Sequence, residues 1–176
     1  MKRVLIALLA MSTLLGGCAS APPMPVINGF ELKHYLGTWH EVARMENRFE
    51  RGLTKVTAEY RDDAGSIKVI NRGFSAEDNR WKEAIGKARF ASNPDEGRLE
   101  VSFFGPFYGD YQILAATRDA DGRYRTALVA GDSLEYLWLL SREPNLSADE
   151  EAKFTSMIKS LGVEPQSLVW LSKPQS

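Results

Sequence analysis

From Tyr35 to Glu143 polar and apolar residues alternate in short runs, separated by clusters of turn-forming residues. In Thr54–Arg61, Val56, Ala58 and Tyr60 fall on one face of an extended strand, with Lys55, Thr57, Glu59 and Arg61 on the other. Asp62-Asp63-Ala64-Gly65 follows as a hairpin turn. Ser66–Phe74 and Trp81–Ala91 are further strands, and Asn93-Pro94-Asp95-Glu96-Gly97 is a turn. Arg98–Phe104 sets Leu99, Val101 and Phe103 against Arg98, Glu100 and Ser102, and Gly105-Pro106 ends it. Asp110–Arg118 and Arg123–Ala130 pair across Asp119-Ala120-Asp121-Gly122, and Glu135–Arg142 closes the series. With a strand at Trp39 the total is eight. Trp39 to Met45 does not alternate cleanly, which predicts a bulge there. No long helix interrupts the strands, so the sheet is antiparallel and the fold all-β, an up-and-down barrel or a sandwich.

One helix follows. Ser147-Ala148-Asp149-Glu150 is a capping box, Phe154, Met157, Ile158 and Leu161 form an apolar stripe, and Gly162 is the stop. The stripe is expected to pack on the outside of the sheet. Gln166–Leu171 reads as one more short strand. On the Trp81–Ala91 strand, Ala84, Gly86 and Ala88 share a face with Phe90. Turned inward, these small residues either leave room for a ligand in an eight-stranded barrel or pack against large partners such as Trp138 or Tyr111.

The first residues have a different character. Lys2 and Arg3 precede an apolar stretch from Val4 to Leu15, too short to span a bilayer comfortably. Leu15-Gly16-Gly17-Cys18 resembles the lipobox of bacterial lipoproteins. That resemblance implies a signal peptide over 1–17 and a Cys18 carrying a diacylglyceryl thioether and an acylated amino group, enough for stable anchoring. Ala19 is not acidic, which in such lipoproteins favours the outer membrane. Ala19–Pro25 contains three prolines in four residues, so 18–28 is expected to be a lipidated cysteine with a stiff tether, and 29–176 the folded domain. Cys18 is the only cysteine, so the domain has no disulfide, cysteine nucleophile or thiolate metal site.

Charge narrows the partners. The chain has 22 basic and 23 acidic residues, and loss of Lys2 and Arg3 with the leader leaves an excess of three acids. No basic patch with interleaved aromatics is present, which argues against nucleic acid. His34 and His40 are the only histidines, too few to suggest a metal, and no cofactor is expected.

Three short motifs then point to one family. Gly37-Thr38-Trp39, set between Tyr35-Leu36 and Glu41-Val42-Ala43-Arg44, resembles the first signature of the lipocalins. Gly109-Asp110-Tyr111 before Ile113-Leu114-Ala115 resembles the second, and Arg142 after Leu137-Trp138-Leu139-Leu140-Ser141 the third. Phe49-Glu50-Arg51-Gly52-Leu53 and Ser102–Gly109 are similar to the bacterial, outer-membrane lipoprotein branch. His40 departs from the tyrosine usual there. The resemblance implies an eight-stranded antiparallel up-and-down barrel with one C-terminal α-helix packed outside. It implies barrel closure by Gly37, Trp39, Asp110, Tyr111 and Arg142, with Arg142 over the Trp39 indole and Asp110 and Tyr111 fixing a turn at the same end.

The implied function is binding, storage or transport of a fatty acid or (lyso)phospholipid at the outer membrane, with the barrel in the periplasm. The residues expected to face a ligand are Val56, Tyr60, Ala84, Gly86, Ala88, Phe90, Val101, Phe103, Tyr111, Ile113, Leu128, Tyr136 and Trp138. Two alternatives stand beside this. One is a lipid-modifying enzyme on the same barrel, against which no nucleophile elbow and no pair of inward acids is evident. The other is an interaction module, for which Phe107 and Tyr108 at a turn could serve a homodimer, a partner or a membrane rim, or simply cover the barrel end.

Overall fold

The computed structural model describes residues 24–171, so the expected leader, Cys18 and the first part of the tether lie outside the described residues. Nine strands form one antiparallel sheet: β1 (Gly37–Met45), β2 (Leu53–Asp63), β3 (Ser66–Ser75), β4 (Arg80–Phe90), β5 (Arg98–Phe104), β6 (Phe107–Arg118), β7 (Tyr124–Ala130), β8 (Leu137–Ser141) and β9 (Leu168–Trp170). Each strand from β2 to β7 pairs with the next, and β1 closes the eight-stranded barrel by pairing with β8 on one side and β2 on the other. Local turn chemistry drives this order. Ala64 and Gly65 both take positive φ (47° and 96°), the conformation a tight β2–β3 hairpin needs.

The expected bulge lies in β1, where the register shifts between Glu41 and Ala43. Below it β1 pairs with β2, from Gly37↔Tyr60 to His40↔Thr57. Above it the same edge pairs with β9, from Ala43↔Trp170 to Met45↔Leu168. Residues 24–28 are not a free tether: Ile27 exchanges backbone hydrogen bonds with Ile113 and Gly97, and Asn28 bridges to Glu96.

Alternation along the strands sorts the apolar residues into two cores. The inner one gathers Trp39, Tyr60, Val69, Leu99, Ile113, Val129 and Leu140. The outer one sets Val42, Leu128, Leu137 and Leu139 against Phe154 and Ile158 of α2 (Ala148–Ser160). Ser147 caps α2 by accepting from the Glu150 backbone N–H, and the Glu150 side chain reaches back to complete the box. Burial of Phe154 and Ile158 contributes roughly 1.5–3 kcal/mol each, which fixes the helix outside the barrel.

Candidate functional site

One end of the barrel is plugged. A single-turn helix, α1 (Leu32–Tyr35), crosses it and drops Tyr35 onto Trp39, ring centroids 4.6 Å apart. The Trp39 indole N–H donates to the Tyr35 carbonyl at 2.8 Å. Arg142 lies over the other side of the plug, its Cζ 3.9 Å from the Trp39 ring centroid. Its guanidinium donates to the carbonyls of Thr38 (2.8 Å), Tyr35 (2.9 Å), Leu36 (2.9 Å) and Tyr124 (3.1 Å). Gly37 is required at this point: its φ is +97°, and a Cβ there would sit 3.4 Å from the guanidinium.

Asp110 and Tyr111 are placed differently from expectation. Both are in mid-strand β6, not at a turn, and Asp110 is exposed opposite Glu100. Tyr111 points inward, where its hydroxyl accepts from Tyr60 and shares a hydrogen bond with Tyr35, both at 2.8 Å. The three phenols form a polar floor above the plug. Burial pushes each of them well above the usual tyrosine range.

Above this floor lies a charged cluster that alternation alone does not predict. Glu41 shares the inward face of Trp39, and the β1 bulge after it brings Arg44 to the inside as well, where the two pair at 2.7 Å with almost no exposure of either side chain. Arg44 also donates to the Glu50 carbonyl at 2.7 Å. The Glu50 carboxylate accepts from Asn47 (2.6 Å) and from the Trp138 indole N–H (2.9 Å). Burial, helped by the nearby Glu50 charge, raises the Glu41 carboxyl to about 8 against the opposing pull of Arg44. Two acids therefore do approach the same interior, contrary to the expectation of none. The signal available in the sequence was the broken alternation from Trp39 to Met45, which marks where side chains change face.

The other expected cavity residues fall into five groups. Tyr60, Ala88, Phe90, Val101, Phe103, Ile113 and Trp138 all belong to the inner core, and Tyr136 stacks on Trp138 from the β7–β8 connection. Gly86 does not leave space: a Cβ there would lie 2.6 Å from the Ser102 carbonyl and 2.8 Å from the Phe103 ring, so the glycine admits Phe103. Ala84 is exposed, because β4 pairs with β5 only from Lys87 to Phe90 and its upper half is an open edge. Leu128 is a correction: it packs in the outer core with Phe154 and Ile158, since Ala127 and Val129 take the inward positions of β7.

Val56 is buried beside Gly73 at the seam where β1 leaves β2. A cleft of about 530 Å³ lies there, lined among others by His40, Glu41, Lys55, Val56, Trp81 and Leu171. His40, the departure from the family pattern, thus lines the seam cleft beside Glu41.

A family model of the lipocalin-like domain matches residues 30–173. The outer membrane lipoprotein Blc of Vibrio cholerae is 46% identical over 170 residues, covering 96% of this chain and 98% of that protein. The protein of the same name from Citrobacter freundii is 43% identical, with 96% of each chain covered. Among solved structures, insecticyanin from Manduca sexta superposes with a TM-score of 0.70 at 19% identity, over 89% of this chain and 87% of that one, which speaks to the fold alone. Near full-length identity to such relatives, on top of a plugged barrel and an outer helix, leaves one assignment: the chain belongs to the lipocalin family, with the bacterial outer-membrane lipoproteins as its near kin.

Proposed function

We propose that this protein is a lipid-anchored carrier of the outer membrane that binds one acyl chain, of a fatty acid or a lysophospholipid, in its barrel. The observation that carries the reading is the inner lining above the phenol floor. Val101 and Phe103 offer an apolar wall, and Arg44, Glu50 and the Trp138 indole give polar partners halfway up. Each methylene moved from water onto such a wall contributes about 0.8 kcal/mol. The names of the relatives, together with Leu15-Gly16-Gly17-Cys18, support acylation of Cys18 and placement at the outer membrane with the barrel in the periplasm. Binding is favoured over catalysis because the interior acids are engaged by Arg44, Asn47 and Trp138, and no serine or cysteine among the described residues hydrogen-bonds to them.

Two measurements test it. Mass spectrometry of protein extracted from its own envelope should show an acyl-bearing lipid at near one per chain. Titration with lysophospholipid should quench the emission of Trp138, which is in the lining, and Trp138→Phe should remove that change. Protein that comes out lipid-free, with fluorescence indifferent to both fatty acid and lysolipid, would refute the carrier reading and leave a scaffold.

A further inference from the structure

The large hydrophobic side chains left in water are not spread over the barrel. Phe49 (61% exposed) is on the β1–β2 loop, Trp81 (50%) follows the β3–β4 turn, and Phe104 (75%) and Phe107 (78%) flank the β5–β6 turn. All three connections are at the end opposite the Trp39–Arg142 plug, and they follow one another around the mouth. Ile85, also exposed, sits on the open upper edge of β4, near the level of Phe104. Among the described residues, no large exposed hydrophobic lies on the plugged-end connections 63–66, 90–98 or 118–124. A ring of aromatics around one mouth, and none at the other end, is the distribution expected of a face that meets a lipid interface.

The tether says which surface. From Phe30, bonded to Asp95 at the plugged end, the chain climbs toward the mouth as it is followed backward. Ile27 is level with Gly97, and the Met24 carbonyl accepts from Arg98. Met24 packs in the same cluster as Leu134 of the β7–β8 connection. Arg98 is six residues below Phe104 on β5, about 20 Å at the rise of a strand. Cys18 is six residues before Met24, a reach of at most about 20 Å. An anchor at Cys18 and the aromatic tips can therefore lie in one plane. The side of the mouth bearing exposed Asp132 and Glu135 is opposite Trp81, so it stays hydrated if the barrel leans toward its aromatic side. Arg48 stacks on Phe49 at 4.8 Å and would bring a cation to anionic headgroups.

We propose that the aromatic mouth of the barrel docks into the same bilayer surface that holds the acylated Cys18, so that ligand passes between membrane and barrel without crossing water. The proposal rests on the acylation of Cys18 put forward above. The test uses the full acylated protein in phosphatidylethanolamine–phosphatidylglycerol vesicles carrying a phospholipid brominated near the headgroup end of its chains. Trp81 fluorescence should be quenched, Trp81→Phe should lose the quenched component, and Phe104→Ser with Phe107→Ser should lower the docked fraction roughly tenfold or more. Protein that floats with the vesicles through its anchor yet shows no quenching overturns the docking alone. A Cys18 peptide without acyl mass overturns the anchor on which it rests. If the double variant instead turns a dimer into a monomer by light scattering, with quenching unchanged, the aromatic face belongs to a second copy of the chain and the proposal fails.

Discussion

Arg142→Ala is the substitution whose cost can be worked most directly from the geometry. The guanidinium donates to four carbonyls at 2.8–3.1 Å, reaches that of His34 at 3.3 Å, and sits 3.9 Å over the Trp39 ring. Charge-assisted hydrogen bonds contribute about 1.5–3 kcal/mol each, but they share one side chain and do not add. The cation–π contact contributes about 1–2 kcal/mol when desolvated. Truncation also leaves the carbonyls of Tyr35 and Leu36 facing a gap, although Arg142 is partly exposed and water can reach some of them. The net expectation is a loss of roughly 3–5 kcal/mol. At about 2–4 °C per kcal/mol for a domain of this size, Tm should fall by roughly 6–20 °C.

Arg142→Lys separates charge from shape. A lysine keeps the cation but can serve at most three acceptors, and it has no planar face to lay on the indole. It should recover less than half of the loss. Urea unfolding followed by tryptophan emission measures both variants, with a constant slope as the check on two-state behaviour. A loss below about 1 kcal/mol for the alanine variant, or full recovery with lysine, would refute the claim that a planar, multiply bonded plug closes the barrel.

Other expectations follow from the same geometry. Glu41 holds its proton more tightly folded (about 8) than unfolded (4.5), so the stability tied to that proton is present below pH 4.5 and is lost as pH rises through about 8. Unfolding free energy measured across that window should fall with pH, and Glu41→Gln should flatten the slope. Gly86→Ala should cost roughly 1–3 kcal/mol by chemical denaturation, because the added methyl would meet the Ser102 carbonyl and Phe103. Leu128→Ala should cost roughly 2–5 kcal/mol by the same assay while leaving lysolipid titration unchanged, because Leu128 is beneath α2 and not in the barrel.

What was legible in the sequence was whatever obeys a simple period. Period-two alternation located β2, β3, β5 and β6 to within a residue or two at most boundaries, and the Ser147–Glu150 box with the Phe154–Ile158 stripe located α2. The plug was legible because Gly37, Trp39 and Arg142 make a recurrent motif. Face assignment failed where alternation shifts or pairing ends. Val129 rather than Leu128 turned out to be inward in β7, and Ala84 is on an edge that β5 leaves unpaired. The inward turn of Arg44 was missed because a single-residue bulge in β1 is invisible to periodicity except as a defect, and Glu50 was missed because it is on the β1–β2 loop, where no period applies.

That bulge does more than redirect Arg44. An extra residue between Glu41 and Ala43 changes the face of everything after it. Without it, a strand whose Trp39 points inward would also point Glu41, Ala43 and Met45 inward, and would leave Arg44 outside. With it, Val42 and Ala43 both join the outer core, and Arg44 comes in opposite Trp138 to meet Glu41. The same step carries β1 away from β2 after His40 and offers its edge to β9. The seam cleft beside Val56 and Lys55 is the space left by that change of partner. Polar interior, seam cleft and docking of the C-terminal strand are therefore three consequences of one inserted residue. Changes at Val42 or Ala43 should disturb all three together, whereas Glu41→Gln should leave the docking of β9 intact.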